Sequence, residues 1–284
     1  MRSSSHPGDR TTSPDCGQTD RQNSDHRHSG NALYIVGTGP GNQAHMSGRA
    51  LEVLGFVDIV MGYKTYLEII EPVIRGQKTH AMGMTREVDR VDAAIDAALN
   101  GQSCALVSGG DPGVYAMAGL VLEILANRGV ACNSGTDNSL KVEVVPGIPA
   151  LCAGAALLGA PLTHDFAAIS LSDLLTPWDL IEKRLDAAAS ADFVIAIYNP
   201  KSKKRDWQLN KAQEIILRHR PGTTPVGIVT GAMRENQRIQ LCSLMNLHLA
   251  EVDMQSIVFI GNASTFSCGN LMVTPRGYSK KYAI

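Results

Sequence analysis

The chain has 284 residues, 44% of them hydrophobic, and its formal net charge is −1. This length and composition predict one large or two modest domains with a substantial core, and the balanced charge argues against a general nucleic-acid-binding protein. No apolar run reaches the roughly 18 residues that a membrane-spanning helix needs, so we expect no membrane partner.

The N-terminal segment differs in composition from the rest of the chain. Residues 1–30 are rich in Ser, Asp, Arg, Thr and His and contain no large aliphatic side chain after Met1. Such a segment cannot bury enough apolar surface to fold, which predicts a disordered tail. His26 and His28 are open to interpretation as a metal-binding tract, but a disordered tail is the more ordinary interpretation, and we predict no metal site.

The cysteines indicate neither a zinc site nor a disulfide framework, because none of them forms a Cys-x-x-Cys pair. Most stand in apolar or small-residue stretches, which is typical of core packing in a reducing compartment. We therefore expect a cytoplasmic protein. The cysteines are Cys16, Cys104, Cys132, Cys152, Cys242 and Cys268.

A first glycine-rich turn follows a short apolar strand at 33–36 and precedes a helix predicted at 44–54. It is easily mistaken for a dinucleotide-binding fingerprint, but Asn42 stands where a third glycine is needed, and Asp58 is badly placed to bind a ribose. No Lys-Ser or Lys-Thr pair follows the turn, which excludes a Walker loop. The turn consists of Gly37, Thr38, Gly39, Pro40 and Gly41.

A second glycine turn follows the strand predicted at 104–107, which itself comes after an amphipathic helix at 86–99. Gly109 and Gly110 have no Cβ and allow a ligand or another backbone to approach closely. Asp111 is a suitable cap for a helix predicted at 112–127, and proline fits the first turn of such a helix. Taken alone, this segment is interpreted equally well as an ordinary strand-to-helix turn.

A third turn, Pro146-Gly147-Ile148-Pro149-Ala150, follows the strand at 142–145 and precedes a helix that ends near Leu158. Three strand ends that each close on glycine and proline predict a concave site built from backbone amides and carbonyls. Open α/β sheets bind their ligands at this end of the strands. A small amphipathic ligand would suit such a site.

Strands and helices alternate along the whole chain after the tail, which predicts an α/β fold with parallel sheets covered by helices. A break occurs near residues 159–164. We interpret the chain as two α/β domains, residues 31–147 and 148–284. In the second domain, strands are predicted at 167–171, 193–198, 226–230 and 257–260, and helices at 173–187, 203–218 and 244–249.

The three glycine turns resemble the signature segments of the tetrapyrrole methylases, which use S-adenosylmethionine (SAM) and include the corrin-pathway methyltransferases. Segments 169–178, 197–202 and 261–265 are similar to the branch of this family that methylates carbon-17 of precorrin-3B. The resemblance covers residues 33 to about 278. It implies two α/β domains with SAM in the cleft between them, and we expect a homodimer.

The resemblance also implies roles for individual turns. The second turn lines the methionine part of SAM, with Asp111 as the carboxylate near its amino group, and the first turn faces the tetrapyrrole. Backbone groups at strand ends of the second domain contact adenine, although ordinary strand-end packing is the alternative. The implied SAM-binding residues are Gly110, Asp111, Pro112, Gly113, Val114, Pro149, Ala150, Tyr198, Gly231, Ala232, Met233 and Gly261.

A run of cations directly follows the strand predicted at 193–198. Charge runs are usually solvated faces. However, a nearly neutral protein needs local positive charge to bind a corrin precursor, whose acetate and propionate side chains are anionic. Arginines elsewhere are further candidates, since their forked geometry suits carboxylates. The run is Lys201, Lys203, Lys204 and Arg205, and the further candidates are Arg86, Arg234 and Arg238.

The implied reaction is methyl transfer from SAM to carbon-17 with contraction of the macrocycle, leaving S-adenosyl-L-homocysteine. Contraction moves protons on a hydroxyl and a lactone, so a general acid or base is expected. The candidates are Ser172, Asp173, His164 and Lys201, and the sequence does not decide among them. Ser172 or Asp173 is also a suitable N-cap for the helix predicted at 173–187.

Two other functions stay open at this point. A methyltransferase of the same family could act on another corrin carbon, on uroporphyrinogen or on a protein side chain. A non-catalytic nucleotide-binding module would bind SAM without transferring its methyl group. SAM binding with no methyl transfer to any tetrapyrrole would favour the module.

Overall fold

The structure is a computed structural model that describes residues 31–83, 85–136 and 139–283. The predicted tail at residues 1–30, with Cys16, His26 and His28, lies outside the described residues. Within the described part of the chain, no helix is both long and apolar enough to cross a membrane.

The N-terminal half forms a parallel five-stranded sheet in the order β3-β2-β4-β1-β5, as the alternating pattern predicts. Its two central strands, β1 and β4, are buried along their whole length. The strands are β1 (Ala32–Gly37), β2 (Ile59–Tyr63), β3 (Lys78–Met82), β4 (Ser103–Ser108) and β5 (Lys141–Val145), and the helices are α1 (Gly48–Phe56), α2 (Lys64–Ile70), α3 (Glu87–Leu99) and α4 (Met117–Asn127).

Helices cover both faces of this sheet. Val53 and Leu54 of α1 pack on one face together with Ile70 of α2. Ile95 of α3 and Val121 of α4 pack on the other face. Burial on both faces explains the continuous apolar sequence of the central strands, which is typical of a parallel sheet.

The C-terminal half forms a second five-stranded sheet in the order β10-β9-β11-β8-β7, with a small sheet β12-β13-β6 beside it. The elements are α5 (Ala150–Leu158), β6 (Gly159–Ala160), β7 (Phe166–Ser170), α6 (Trp178–Ser190), β8 (Val194–Tyr198), α7 (Gln208–Leu217), β9 (Pro225–Thr230), β10 (Arg238–Ser243), β11 (Ser256–Ile260), β12 (Phe266–Cys268) and β13 (Leu271–Val273).

The second sheet is mixed, which corrects the expectation of parallel strands. β7 runs parallel to β8, whereas β11 is antiparallel to both β8 and β9, and β10 is antiparallel to β9. Helix α5 packs closely on this sheet. A Cβ added to Gly154 would lie only 2.9 Å from side-chain atoms of Ile257 and Phe259 in β11. The split of the chain into domains at residue 147 stays a prediction.

Four helices begin four or five residues later than the sequence predicts. α1 begins at Gly48 and not at residue 44, α4 at Met117 and not at Pro112, α6 at Trp178 and not at residue 173, and α7 at Gln208 and not at residue 203. The segment Leu244–Leu249 is a 3-10 helix, not an α-helix. Before α4, α6 and α7, the residues form a loop whose side chains and backbone make long-range contacts.

Candidate functional site

The three glycine turns meet at the carboxyl ends of adjacent strands, because β4, β1 and β5 are neighbours in the sheet. Thr38 donates from its backbone N–H and from its hydroxyl to the carbonyl of Ser108, at 2.9 and 3.1 Å. Gly39 and Gly110 exchange two backbone hydrogen bonds of 3.1 and 2.8 Å. These bonds join the first turn to the second.

Glycine is required where the turns touch. A Cβ on Gly37 would lie 2.7 Å from the carbonyl oxygen of Gly110 and 2.7 Å from the backbone nitrogen of Gly147. Such distances are not tolerated by real side chains, so the backbones meet only because the side chain is missing. The turns therefore form one continuous backbone surface.

Asp111 connects the second turn to the third. Its Oδ1 accepts a hydrogen bond from the backbone N–H of Gly113 at 2.8 Å, and its Oδ2 accepts one from Gly147 at 3.1 Å. The predicted role as a helix cap is wrong, because α4 begins at Met117 after an Ala116 N-cap that has no side-chain hydrogen bond. The carboxylate instead places a negative charge where the turns converge.

The carboxyl ends of β7 and β8 hold a second cluster, built from side chains. Ser170 accepts hydrogen bonds at its Oγ from the Asn199 amide at 2.9 Å and from the Ser172 backbone at 3.2 Å. Arg205 donates from Nε to the Asn199 carbonyl at 3.1 Å and from Nη1 to the Ser172 hydroxyl at 3.5 Å. Arg205 thus ties two loops together and is not a solvated cation.

Asp173 belongs to the same cluster and does not cap a helix. Its Oδ2 accepts a hydrogen bond of 2.9 Å from the amide of buried Gln208, and α6 begins five residues later at Trp178, with Pro177 as N-cap. The intervening loop exposes Leu174 and Leu175, at 81% and 93% of their surface. These are the two most exposed large apolar side chains among the described residues.

The lysines of the predicted basic run lie in the same loop as Arg205, after β8. Lys201, Lys203 and Lys204 are exposed, and none of them makes an ion pair with another described residue. Their charges are therefore available to a ligand, unlike that of Arg205.

Tyr115 and Tyr198 connect the second glycine turn to the second sheet. Tyr115, which directly follows the second turn at φ 51°, donates its O–H to the carbonyl of Ala168 at 2.9 Å. Its ring lies 5.0 Å from that of Tyr198, whose hydroxyl accepts a hydrogen bond of 2.9 Å from Leu151 in the first turn of α5. Desolvation raises the pKa of Tyr198 to about 12, so its hydroxyl stays protonated near neutral pH.

The first turn also reaches the second sheet, at the loop after β9. Arg234 donates from Nε to the carbonyl of Pro40 at 2.8 Å. Asn42 donates from its amide to the carbonyl of Met233 at 3.5 Å. The loop that contains Gly231, Ala232 and Met233 therefore lies beside the first turn, which is itself bonded to the second.

Gly261 does not lie with the other predicted adenine contacts. β11 is antiparallel to β8 and β9, so its end lies near their beginnings, roughly 13 Å along the strand from Tyr198. The carbonyl of Gly261 accepts a hydrogen bond from the buried guanidinium of Arg220. Gly261 is thus occupied by a structural contact near the amino ends of β8 and β9, at the opposite end of these strands from Tyr198.

His164 also lies at the amino ends of β7 and β8. The neighbouring Asp165 accepts a backbone hydrogen bond of 3.1 Å from Val194, the first residue of β8, whereas Ser172 follows the end of β7. His164 accepts a hydrogen bond of 2.8 Å from its own neighbour's backbone. It is therefore separated from the other candidates for proton transfer, Ser172, Asp173 and Lys201.

Two predicted carboxylate-binding arginines are already paired with protein acids. Arg86 contacts Asp89 at 2.8 Å. Arg238 contacts Glu251 at 2.7 Å and Asp253 at 3.4 Å. Arg234 is the predicted arginine that lies against a glycine turn.

The sequence reasoning missed Tyr115 and His45. Tyr115 directly follows the second turn, and His45 lies four residues after the first turn, in the 3-10 helix Gln43–His45. Proximity to a glycine turn is the signal that would have identified them. His45 lines a cavity of about 360 Å³ beside the first and third turns. No group of three or more His, Cys, Asp or Glu residues placed to bind a metal occurs in the described part of the chain.

Comparison with known proteins identifies a family. The family model described as Tetrapyrrole (Corrin/Porphyrin) Methylases matches residues 32–248. A "Cobalt-factor III methyltransferase" of Priestia megaterium is 46% identical over 252 residues, which are 89% of this chain and 46% of the relative. A "Probable cobalt-factor III C(17)-methyltransferase" of Salmonella typhimurium is 44% identical over 87% of this chain and 99% of the relative.

Further relatives and solved structures agree. A "Precorrin-3B C(17)-methyltransferase" of Sinorhizobium is 40% identical over 87% of this chain and 97% of the relative. The crystal structure of the methyltransferase CobJ has a TM-score of 0.77 and 34% identity, over 86% of this chain and 99% of that one. A uroporphyrin-III C-methyltransferase of Thermus thermophilus, solved with S-adenosyl homocysteine, has the same fold at a TM-score of 0.62 and 22% identity, over 81% and 97% of the two chains.

Proposed function

Because the chain belongs to the tetrapyrrole (corrin/porphyrin) methylases, we propose that it methylates carbon-17 of precorrin-3B, or of its cobalt form, and contracts the macrocycle in cobalamin biosynthesis. SAM is the methyl donor. The observation that supports this function best is the juxtaposition of two unlike surfaces. The glycine cradle, formed by the turns at 37–41, 109–114 and 146–150, contacts the ends of β7 and β8 through Tyr115. The loop that follows β8 carries lysines that make no ion pair with described residues.

The glycine cradle fits SAM. The missing side chains at Gly37 and Gly147 let the three turns pack backbone against backbone, and Asp111 supplies one carboxylate for an amino group. We assign Gly110–Val114 and Pro149–Ala150 to the methionine part and the loop at 231–233 to adenine. Gly261 is not part of this assignment, because it lies at the opposite end of the strands from the loop at 231–233.

The second surface fits a polycarboxylate. Lys201 and Lys203 are exposed and lack ion pairs with described residues, and Arg234 lies against the first glycine turn. Local positive charge attracts a polyanion to a chain whose net charge is nearly zero. Leu174 and Leu175 offer apolar contact beside it. We assign these residues, with Gly37–Gly41, to the tetrapyrrole.

When bound, SAM supplies an electrophilic methyl group on a sulfonium, and the residues of this chain orient the two ligands. Holding an acceptor carbon in line with such a methyl group accounts for much of the rate enhancement that a methyltransferase needs. Ser172, Asp173 and Lys201 remain candidates for the proton transfer of ring contraction, because all three follow the carboxyl ends of β7 and β8. His164 is not among them, since it lies at the amino ends of these strands.

The predicted cytoplasmic location and homodimeric state are part of the proposal. Free cysteines at five described positions agree with a reducing compartment. Light scattering of the purified protein measures its oligomeric state, and a dimer would have twice the chain mass of 30.4 kDa.

One incubation tests the proposed function. The protein is mixed with SAM and precorrin-3B, or its cobalt form, and products are followed by mass spectrometry and absorption. We expect S-adenosylhomocysteine together with a tetrapyrrole heavier by one methylene unit and with a changed spectrum. SAM binding without methyl transfer would favour a nucleotide-binding module, and methylation at another position would favour a different branch of the family.

A further inference from the structure

The cavity next to the first and third glycine turns is lined by a histidine, His45, that is not part of the two surfaces assigned to SAM and the tetrapyrrole. The cavity has a volume of about 360 Å³. It adjoins the point where the turns meet, because its wall includes Gly147, whose N–H is bound by Asp111. The lining residues are Ala44, His45, Met46, Ser47, Pro146, Gly147 and Ile148.

Asn42 determines which ring nitrogen of His45 carries the proton. The amide nitrogen of Asn42 faces the carbonyl of Met233 at 3.5 Å, and its Oδ1 lies 2.8 Å from Nδ1 of His45. The reversed amide would place two carbonyl oxygens against each other. An amide oxygen only accepts hydrogen bonds, so Nδ1 carries the hydrogen and the neutral ring keeps a lone pair on Nε2.

The other histidines of the described chain lie elsewhere. His80 is exposed on edge strand β3, and His164 lies just before β7, near the amino end of β8. His219 contacts Asp186 at 2.7 Å, and His248 belongs to a 3-10 helix of the second half. Among the described histidines, His45 is the one that lines the cavity beside the glycine turns.

We propose that His45 is the catalytic base for ring contraction, an assignment that rests on the proposed function. With precorrin-3B as substrate, its Nε2 accepts the proton of the macrocycle's hydroxyl while that oxygen forms a carbonyl double bond. A carbon–carbon bond of the hydroxyl-bearing carbon migrates to the adjacent ring carbon, and the lactone carboxylate leaves that ring carbon with the bonding electron pair. The imidazolium then returns its proton to the carboxylate or to water. No electrons are gained or lost overall, so no oxidant is needed.

The variant His45→Gln tests this assignment, with His80→Gln as a matched control on exposed β3. Methyl transfer is measured as S-adenosylhomocysteine, and contraction as the change in the absorption of the tetrapyrrole. We expect contraction to slow by roughly 100-fold or more in His45→Gln, as for a lost general base. Methyl transfer should stay within about threefold of the parent, so that a methylated, uncontracted tetrapyrrole accumulates.

Rescue separates a chemical role from a structural one. Imidazole added to His45→Ala should restore part of the contraction rate, because the truncated side chain leaves room in the cavity. Unchanged contraction in His45→Gln, or an equal loss of methyl transfer and contraction without rescue, overturns the assignment. A parent protein that forms no S-adenosylhomocysteine with the tetrapyrrole refutes the proposed function itself.

Discussion

The two surfaces of the proposed site are built in different ways. The cradle in the first half consists of backbone, and its shape depends on glycine positions that exclude any side chain, such as Gly37 and Gly147. The cluster in the second half consists of side chains, with Arg205 holding Ser172 and Asn199 together. The shape of the first surface is therefore determined by steric contacts, whereas the second depends on individual polar contacts and exposed charges.

Gly147→Ala should have the largest effect on the cradle. The new Cβ would overlap the carbonyl oxygen of Gly110, which belongs to backbone that cannot move aside freely. We expect the free energy of unfolding to fall by about 1–3 kcal/mol, as for overpacked cores. SAM affinity should fall by more than roughly 100-fold, or about 2.7 kcal/mol. Thermal denaturation and calorimetry measure the two effects.

Gly119→Ala is the matched control. Gly119 lies in α4, and a Cβ there meets nothing within 4 Å, so alanine should leave SAM binding unchanged and stabilise the helix by about 0.5–1 kcal/mol. Normal SAM affinity in Gly147→Ala would mean that the cradle is not the SAM site.

The steric origin of the cradle explains why it was predictable from sequence. Glycine and proline after an apolar strand indicate a turn. Because β4, β1 and β5 are parallel neighbours, their turns lie at the same end of the sheet. Edge strands β3 and β10 were missed, because exposed strands such as Lys78–Met82 lack the apolar pattern of central ones. Gly261 and His164 were wrongly predicted to lie in the site. The antiparallel direction of β11 and the parallel direction of β7 place them at the other end of the strands, and both directions depend on contacts between distant segments.

The same reasoning explains the late helix starts. Asp111 has the position of a helix cap in the sequence, yet its carboxylate binds Gly147, which is 36 residues away. Asp173 binds Gln208 in the same manner. Local cap preferences do not include such long-range partners, so the sequence could not distinguish a cap from a bridge between turns.

Asp111→Ala should weaken SAM binding by ~1.5–3 kcal/mol, as for the loss of a charge-assisted contact. The variant also leaves the N–H groups of Gly113 and Gly147 without their partner, so some loss of stability is expected. Asp111→Asn is the control, since the amide oxygen can still accept one of these bonds but carries no charge. Calorimetry that finds equal SAM affinity in Asn and parent proteins would limit Asp111 to holding the turns.

Arg205→Ala should affect the tetrapyrrole rather than SAM. Without the guanidinium, the loops that carry Ser172 and Asn199 lose their connection. We expect KM for the tetrapyrrole to rise roughly tenfold, or about 1.4 kcal/mol. Arg205→Lys should not restore it, because an ammonium does not reproduce the two-pronged contact. Lys204→Ala is the control, and steady-state kinetics in which both alanine variants behave alike would remove the special role of Arg205.

The smallest effect is expected from the exposed lysines. Lys201→Glu with Lys203→Glu should raise KM for the polycarboxylate substrate by a few fold, because rim charges act mainly through long-range attraction. KM of the parent should itself rise with salt, since exposed charges are screened within about 10 Å at 0.1 M ionic strength. The variant should show a shallower dependence on salt, because the attraction that salt screens is already missing. SAM affinity should stay unchanged, since the cradle is made of backbone.

A control with the same net charge distinguishes local from general attraction. Lys78→Glu with Lys183→Glu changes the charge equally, at exposed positions on β3 and α6. If the loop at 201–203 contacts the substrate, this control keeps the parent's KM and its salt dependence. Equal salt slopes in the parent and the Lys201/Lys203 variant would instead show that the lysines are a solvated face. The tetrapyrrole surface would then consist of Arg234, the first glycine turn and the exposed Leu174 and Leu175, and the contrast between a backbone cradle and a charged loop would have to be abandoned.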